Sequence, residues 1–230
     1  MPGQAVCRGV AGGLARVPGL RQAPAMRKRT PLAVAVATVV AGAGCQPMNA
    51  YVDGAHLPDA DGVIAVEPGP TLVIKPDTDV AALAIPQAGA VRLAIDRAVP
   101  WPRVETLIQR VAAAGARPVF LVGVRDKIHA FRLNDTLAPG DRIRLLATSD
   151  GKACVGKTGV DEMRCFQGSD RRYVHRAFVR ENVREAVKEY ELHDVEVRAD
   201  PSVEWANVVR AIDGARTCCG KTEVRAALMP

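Results

Sequence analysis

Residues 151–158 read GKACVGKT, the G-x-x-x-x-G-K-[ST] spacing in which backbone N–H groups cradle phosphates and a lysine reaches the terminal ones. That chemistry needs a strand before the glycine-rich stretch and a helix directly after it. Gly159-Val160-Asp161 and then Met163, Arg164 and Cys165 have little helical periodicity, and Asp150-Gly151 is better explained as a hairpin turn. A second octamer, ARTCCGKT at residues 215–222, has helix before and strand after, the reverse order. Nucleotide binding is therefore disfavoured. His56, His129, His175 and His193 are scattered without HxxxH or HExxH spacing, and no G-x-S-x-G occurs. Acids within residues 173–191 alternate with arginines, as on a solvated face. The expectation is a chain with no catalytic residues, no metal ligands and no cofactor.

Sulfur offers more. Met26 opens a stretch with a basic patch, Arg27-Lys28-Arg29, followed by an uncharged Ala- and Val-rich run from Pro31 to Gly44. At 14 residues the run is shorter than the roughly 20 that span a bilayer as a helix, and has the shape of a secretory signal. It ends in Ala41-Gly42-Ala43-Gly44-Cys45, which resembles a bacterial lipoprotein cleavage box, with Gly42 standing where that family usually has Leu or another large aliphatic residue. The resemblance implies export, removal of residues 1–44 and lipidation of Cys45, which would anchor the chain to a membrane facing the periplasm. A cleaved signal beside an ordinary cysteine and a short uncleaved anchor are the two other readings. Residues 1–25 read as an over-extended start or as a genuine extension.

An exported chain can form disulfides. Cys154 and Cys165 are 11 residues apart, and a bridge there stabilises by about 3 kcal/mol in the chain-entropy model. Cys218 and Cys219 are adjacent, so strain is expected to disfavour a bond between them. No CxxC pair supports a zinc site.

The leader also accounts for the net charge. The chain has 31 basic and 25 acidic residues; residues 1–44 hold six of the basic ones and no acid, leaving 25 of each beyond them. A near-neutral remainder gives no reason to expect nucleic acid as a partner. Aromatics are few, so the core is expected to be Val, Leu, Ile and Ala.

The elements that would position any site show an internal repeat. LAIDRAVPWPRVETLIQRV from residue 93 and VRADPSVEWANVVRAID from residue 197 align at an offset of 104 residues. Asp96 then matches Asp200, Val99 matches Val203, Trp101 matches Trp205, Val104 matches Val208 and Ile108 matches Ile212. Each copy predicts a strand, a turn at the aspartate, a helix with apolar residues at three- and four-residue steps, and a second strand. The helices should end near Gly115 and Gly220, with final strands over 118–124 and 222–228. Asp96 and Asp200 read as turn or cap residues, and Trp101 and Trp205 as packing anchors. Residues 142–148 and 152–155 predict a hairpin about Asp150-Gly151, and residues 173–191 a helix with Val174, Phe178, Val183 and Val187 apolar. Residues 62–66 and 71–74 look like strands.

The DG hairpin (Ser149-Asp150-Gly151), the helix, VEVRADPSVEWANVVRAID (195–213) and Gly220 resemble the periplasmic domain of the ExbD/TolR family. The likeness covers about 80 residues of the second copy and a shorter piece of the first. It implies an α+β fold of two tandem small modules, each a β-sheet with helices on one face, the second more complete than the first. The expected division is leader 1–44 (signal 26–44), linker 45–60, first module 61–137 and second module 141–230. The resemblance further implies self-association and contact with envelope proteins or cell wall. The proton-carrying transmembrane aspartate of that family has no counterpart, because Pro31–Gly44 holds no ionisable residue. The expected function is thus a non-enzymatic cell-envelope lipoprotein, accessory to an energy-coupled envelope transport system. The alternative is a small-ligand binder or enzyme on the same scaffold, which would show a closed pocket with converging polar groups.

Overall fold

The computed structural model describes residues 50–229. In chain order they form β1 (Tyr51–Val52), β2 (Ala55–His56), β3 (Thr71–Ile74), β4 (Ala90–Ile95), α1 (Trp101–Ala113), β5 (Arg117–Val124), β6 (Lys127–Phe131), β7 (Ile143–Ala147), β8 (Lys152–Lys157), β9 (Arg164–Gln167), α2 (Arg176–Tyr190), β10 (Asp194–Ala199), α3 (Trp205–Arg216) and β11 (Arg225–Leu228). The fold is α+β. One sheet runs β3-β4-β5-β6 and another β11-β10-β7-β8-β9, with a small hairpin of β1 and β2. β3, β4 and β5 are parallel, as are β7, β10 and β11; β6, β8 and β9 are antiparallel to their neighbours.

The repeat is structural. β4 and β10 have the same length and are offset by 104 residues, as are the first residues of α1 and α3. In each copy the aspartate N–H closes the sheet against the strand before it, Asp96 to Ile74 O at 2.8 Å and Asp200 to Ala147 O at 3.0 Å. The copies meet through an antiparallel bridge between Pro100 and Glu204. Trp101 N–H donates to Val203 O and Trp205 N–H to Val99 O, both at 2.8 Å. The two indoles stack with centroids 6.4 Å apart. Residues of both sheets share one hydrophobic core, and the described residues all fall in one compact unit.

Helix α1 is amphipathic, burying Trp101, Val104, Leu107 and Val111, and Pro102 suits its first turn, where an N–H has no helical partner. Helix α3 is buried nearly all round, the pattern of a helix enclosed by protein. It packs against α1, α2 and the second sheet. Gly214 permits the approach of α2, since a Cβ there would lie 2.8 Å from Val179 Cβ.

Several expectations require correction. Helix α2 starts at Arg176 rather than residue 173, because Asn207 Oδ1 accepts the Val174 N–H at 3.0 Å and holds that stretch non-helical. Val179 then takes the buried position expected of Phe178, which is exposed. Residues 50–60, read as linker, are folded: Ala50 and Leu57 pack with Ala94 and Leu121 on the face of the first sheet. The strand expected over 62–66 reduces to a single bridge between Ile64 and Ala130.

Candidate functional site

The residues singled out by sequence fall in separate places. Asp96 turns the chain into α1: its carboxylate accepts the Ala98 N–H at 3.0 Å and the His56 N–H at 2.8 Å. Asp200 closes the equivalent turn with its backbone carbonyl, which accepts the Val203 N–H at 3.0 Å. Trp101 and Trp205 are buried at the joint between the copies. Cys154 and Cys165 face one another across β8 and β9 and are disulfide-bonded. Cys218 and Cys219, expected to stay apart, are bonded to each other; the turn that follows α3 brings the neighbouring sulfurs together. Cys45 lies outside the described residues. The GKACVGKT stretch is strand β8, its backbone groups engaged by β7 and β9, so it forms no phosphate cradle.

The most concentrated polar arrangement is one that the sequence did not announce. Asp213, within α3, is fully buried. Its carboxylate accepts the Asp61 N–H at 2.9 Å and the Gly62 N–H at 2.7 Å. Arg176 Nε lies 2.7 Å from Asp213 Oδ2 without hydrogen-bond alignment, so that contact is chiefly Coulombic. The same guanidinium reaches Asp59 at 2.7 Å and Asp61 at 3.0 Å. Arg180 adds a bond to Asp61 at 3.0 Å and Arg210 one to Asp59 at 3.1 Å. Burial pushes the Asp59 carboxyl up, but Arg210 and Arg176 outweigh it and hold the group below its ordinary value. Burial pulls the Arg176 guanidinium down, yet Asp213, Asp59 and Asp61 together raise it. Burial and then Arg97 lower the pKa of His56.

Beside this cluster, Tyr173 lies among three guanidinium groups, Arg210 at 4.7 Å, Arg172 at 5.4 Å and Arg97 at 5.6 Å from its ring centre. Asn207 pins the segment to α3, donating to Arg172 O at 3.1 Å. Asp59, Asp61 and Asp213 are each engaged by a guanidinium, so none of the three is a free general base. What the cluster does is clamp residues 59–62 onto α2 and α3. The sequence carried only a partial signal: an acid among the apolar residues of α3 needs a partner if it is buried, and Arg176 and Arg180 present two cations at i and i+4, but nothing local brings the two helices together.

A cavity of about 410 Å³ lies beside α1 and β5. Its floor includes Ile64, Ile108, Phe120, Phe131 and Leu133, and Glu67 and Arg117 at its edge pair with each other. A neighbouring cleft of about 180 Å³ shares Ile108, Leu133 and Asn134 with it and extends the groove to Trp101. Among the described residues no three His, Cys, Asp or Glu side chains gather as metal ligands. One edge of the second sheet is closed by side chains: Asp135 accepts the Ala226 N–H and Asn134 the Leu228 N–H, both at 2.9 Å. The strands β3 and β9 end their sheets. No protein-family model, no curated protein and no solved structure matches this chain.

Proposed function

We propose that the chain is a non-enzymatic cell-envelope lipoprotein, anchored through Cys45, which self-associates and whose tandem ExbD/TolR-like modules bind envelope proteins or cell wall. The observation that carries the reading is the contrast between occupied chemistry and open apolar surface. The acids of the cluster, exposed Asp59 and Asp61 and buried Asp213, are spent on arginines and backbone N–H groups. The groove beside α1 is lined by aliphatic and aromatic side chains together with Glu67, Arg117, Arg132 and Asn134, of which Glu67 and Arg117 pair with each other. Apolar grooves of this kind serve recognition rather than bond-breaking. Among the described residues no helix is long and apolar enough to cross a membrane; anchoring through the lipid rests on the signal-like run that ends at Cys45. The chain would be an accessory to an energy-coupled transport system, since it lacks the transmembrane acid that carries protons. The test is intact-mass analysis of protein recovered from membranes of the native host, beside a Cys45→Ala control. An acylated species beginning at Cys45, absent from the control, supports the reading. An unmodified chain in the soluble fraction overturns it.

The groove also favours a second reading, a small apolar ligand. Trp101 lines its extension, so titration with candidate ligands should change tryptophan fluorescence if that reading holds.

A further inference from the structure

We propose that the Cys218–Cys219 bond is a thiol–disulfide exchange site, opened and reclosed by an external dithiol while the fold stays intact. The proposal stands apart from the envelope reading and rests on three observations.

The first is adjacency. Cys154–Cys165 closes a loop of sequence separation 11, and its reduction returns that loop's chain entropy to the unfolded state. Cys218 and Cys219 are neighbours, so their bond closes no loop and constrains the unfolded chain little. Opening it leaves the folding equilibrium nearly where it was, a property that a reversible redox site requires.

The second is access. The pair follows the last turn of α3 and forms one wall of a cavity of about 370 Å³ with Arg184, Lys188, Gly220 and Thr222. Cys218 is buried and Cys219 half-buried. An incoming thiolate therefore meets Cys219 Sγ from the cavity, and Cys218 is the leaving group.

The third is charge. Arg184 and Lys188 stand one turn apart on α2, both exposed, and among the described residues neither forms an ion pair. Arg184 Nε donates to Cys218 O at 2.9 Å, which fixes that cation at the site. Positive charge draws in the attacking thiolate and steadies the departing one.

One thiolate of the dithiol attacks Cys219 Sγ, the Cys218–Cys219 bond breaks and its electron pair leaves on Cys218 as thiolate. The second thiolate of the dithiol then attacks its own sulfur in the mixed disulfide and releases Cys219 as thiolate. The dithiol departs as a disulfide, its two electrons rest on the cysteine pair, and the two protons it released to solvent on ionising are taken up by Cys218 and Cys219.

The experiment exposes the full chain to rising dithiothreitol, quenches by alkylation and maps the modified cysteines by peptide mass, with thermal unfolding followed in parallel. Cys218 and Cys219 are expected to open at about tenfold lower dithiothreitol than Cys154 and Cys165, with the unfolding transition unmoved until the second pair opens. Cys165 is the most exposed residue of the four cysteines, so exposure alone predicts the opposite order. Simultaneous opening, opening of Cys154–Cys165 first, or loss of thermal stability on opening Cys218–Cys219 overturns the proposal. Lys188→Gln, an exposed change, should slow opening of the vicinal bond about threefold at low salt and leave the other bond's rate unchanged. Equal rates in variant and parent overturn the role given to the cations.

Discussion

The two copies of the strand–helix–strand unit share their turn and their tryptophan, yet their helices differ in kind. Helix α1 covers the first sheet with one face and leaves the other outside. Helix α3, starting 104 residues later, is enclosed by α1, α2 and the second sheet. At equivalent positions Glu105 is half-buried and Gln109 exposed in α1, whereas Val209 and Asp213 are buried in α3. The difference teaches that the repeat dictates entry into the helix, while the elements packed around it dictate which residues its outer face can tolerate. Asp213 is the consequence. It occupies the position of a solvent-facing glutamine, and Arg176 with the Asp61 and Gly62 N–H groups takes the place of water.

The sharpest way to break the comparison is at the joint. Trp205→Ala should cost about 4 kcal/mol and Trp101→Ala about 3 kcal/mol, because Trp205 is wholly buried beside Phe120 and Trp101 borders a cleft; urea unfolding would measure both. Equal costs would show that the joint is symmetric in energy as well as in pattern. Next in size, Asp213→Ala should cost about 3 kcal/mol, since it strands two backbone N–H groups and weakens the burial of Arg176. Gln109→Ala should stay within about 0.5 kcal/mol in the same assay. At the turns, Asp96→Ala should cost about 1 kcal/mol through loss of two N–H acceptor contacts. Asp200→Ala should cost less, because the backbone carbonyl closes both turns alike and, among the described residues, of the two carboxylates only that of Asp96 also accepts N–H groups.

The smallest effect is a pH dependence of the clamp. The folded Asp59 pKa is depressed from 3.8, so its contribution is present above that value and is lost as pH falls through the folded value. His56 is also depressed, from 6.5, so its neutral form contributes above that value and the contribution fades on acidification. Stability should therefore fall as pH drops from 6.5, and Asp59→Asn should flatten the part of that fall below about 4. An unchanged acid limb in the variant would remove Asp59 from the account.

Much of the second copy was legible in the sequence because its elements are long and strongly patterned. The 143–147 and 152–157 strands about Gly151, whose φ is +76°, and the strand into Asp200 follow from alternation and turn chemistry. β6 and β9 escaped notice because Lys127–Phe131 and Arg164–Gln167 are short and charged, and pairing with a neighbour rather than local preference makes them strands. The Asp213 clamp was illegible for another reason: its partners come from residues 59–62 and from α2, about 150 and 37 positions away.

By itself the sequence determined the doubled strand–turn–helix–strand unit, the placement of each aspartate at a turn and of each tryptophan at a helix start. Those features depend on local spacing and on backbone geometry within a few residues. Only the tertiary structure decided that the two tryptophans stack on each other, that residues 50–60 cover the first sheet, and that an aspartate can sit inside α3. Each of these requires segments far apart in the chain to supply a hydrogen bond, an opposite charge or a matching apolar face at close range, and no local pattern records where such a partner will be.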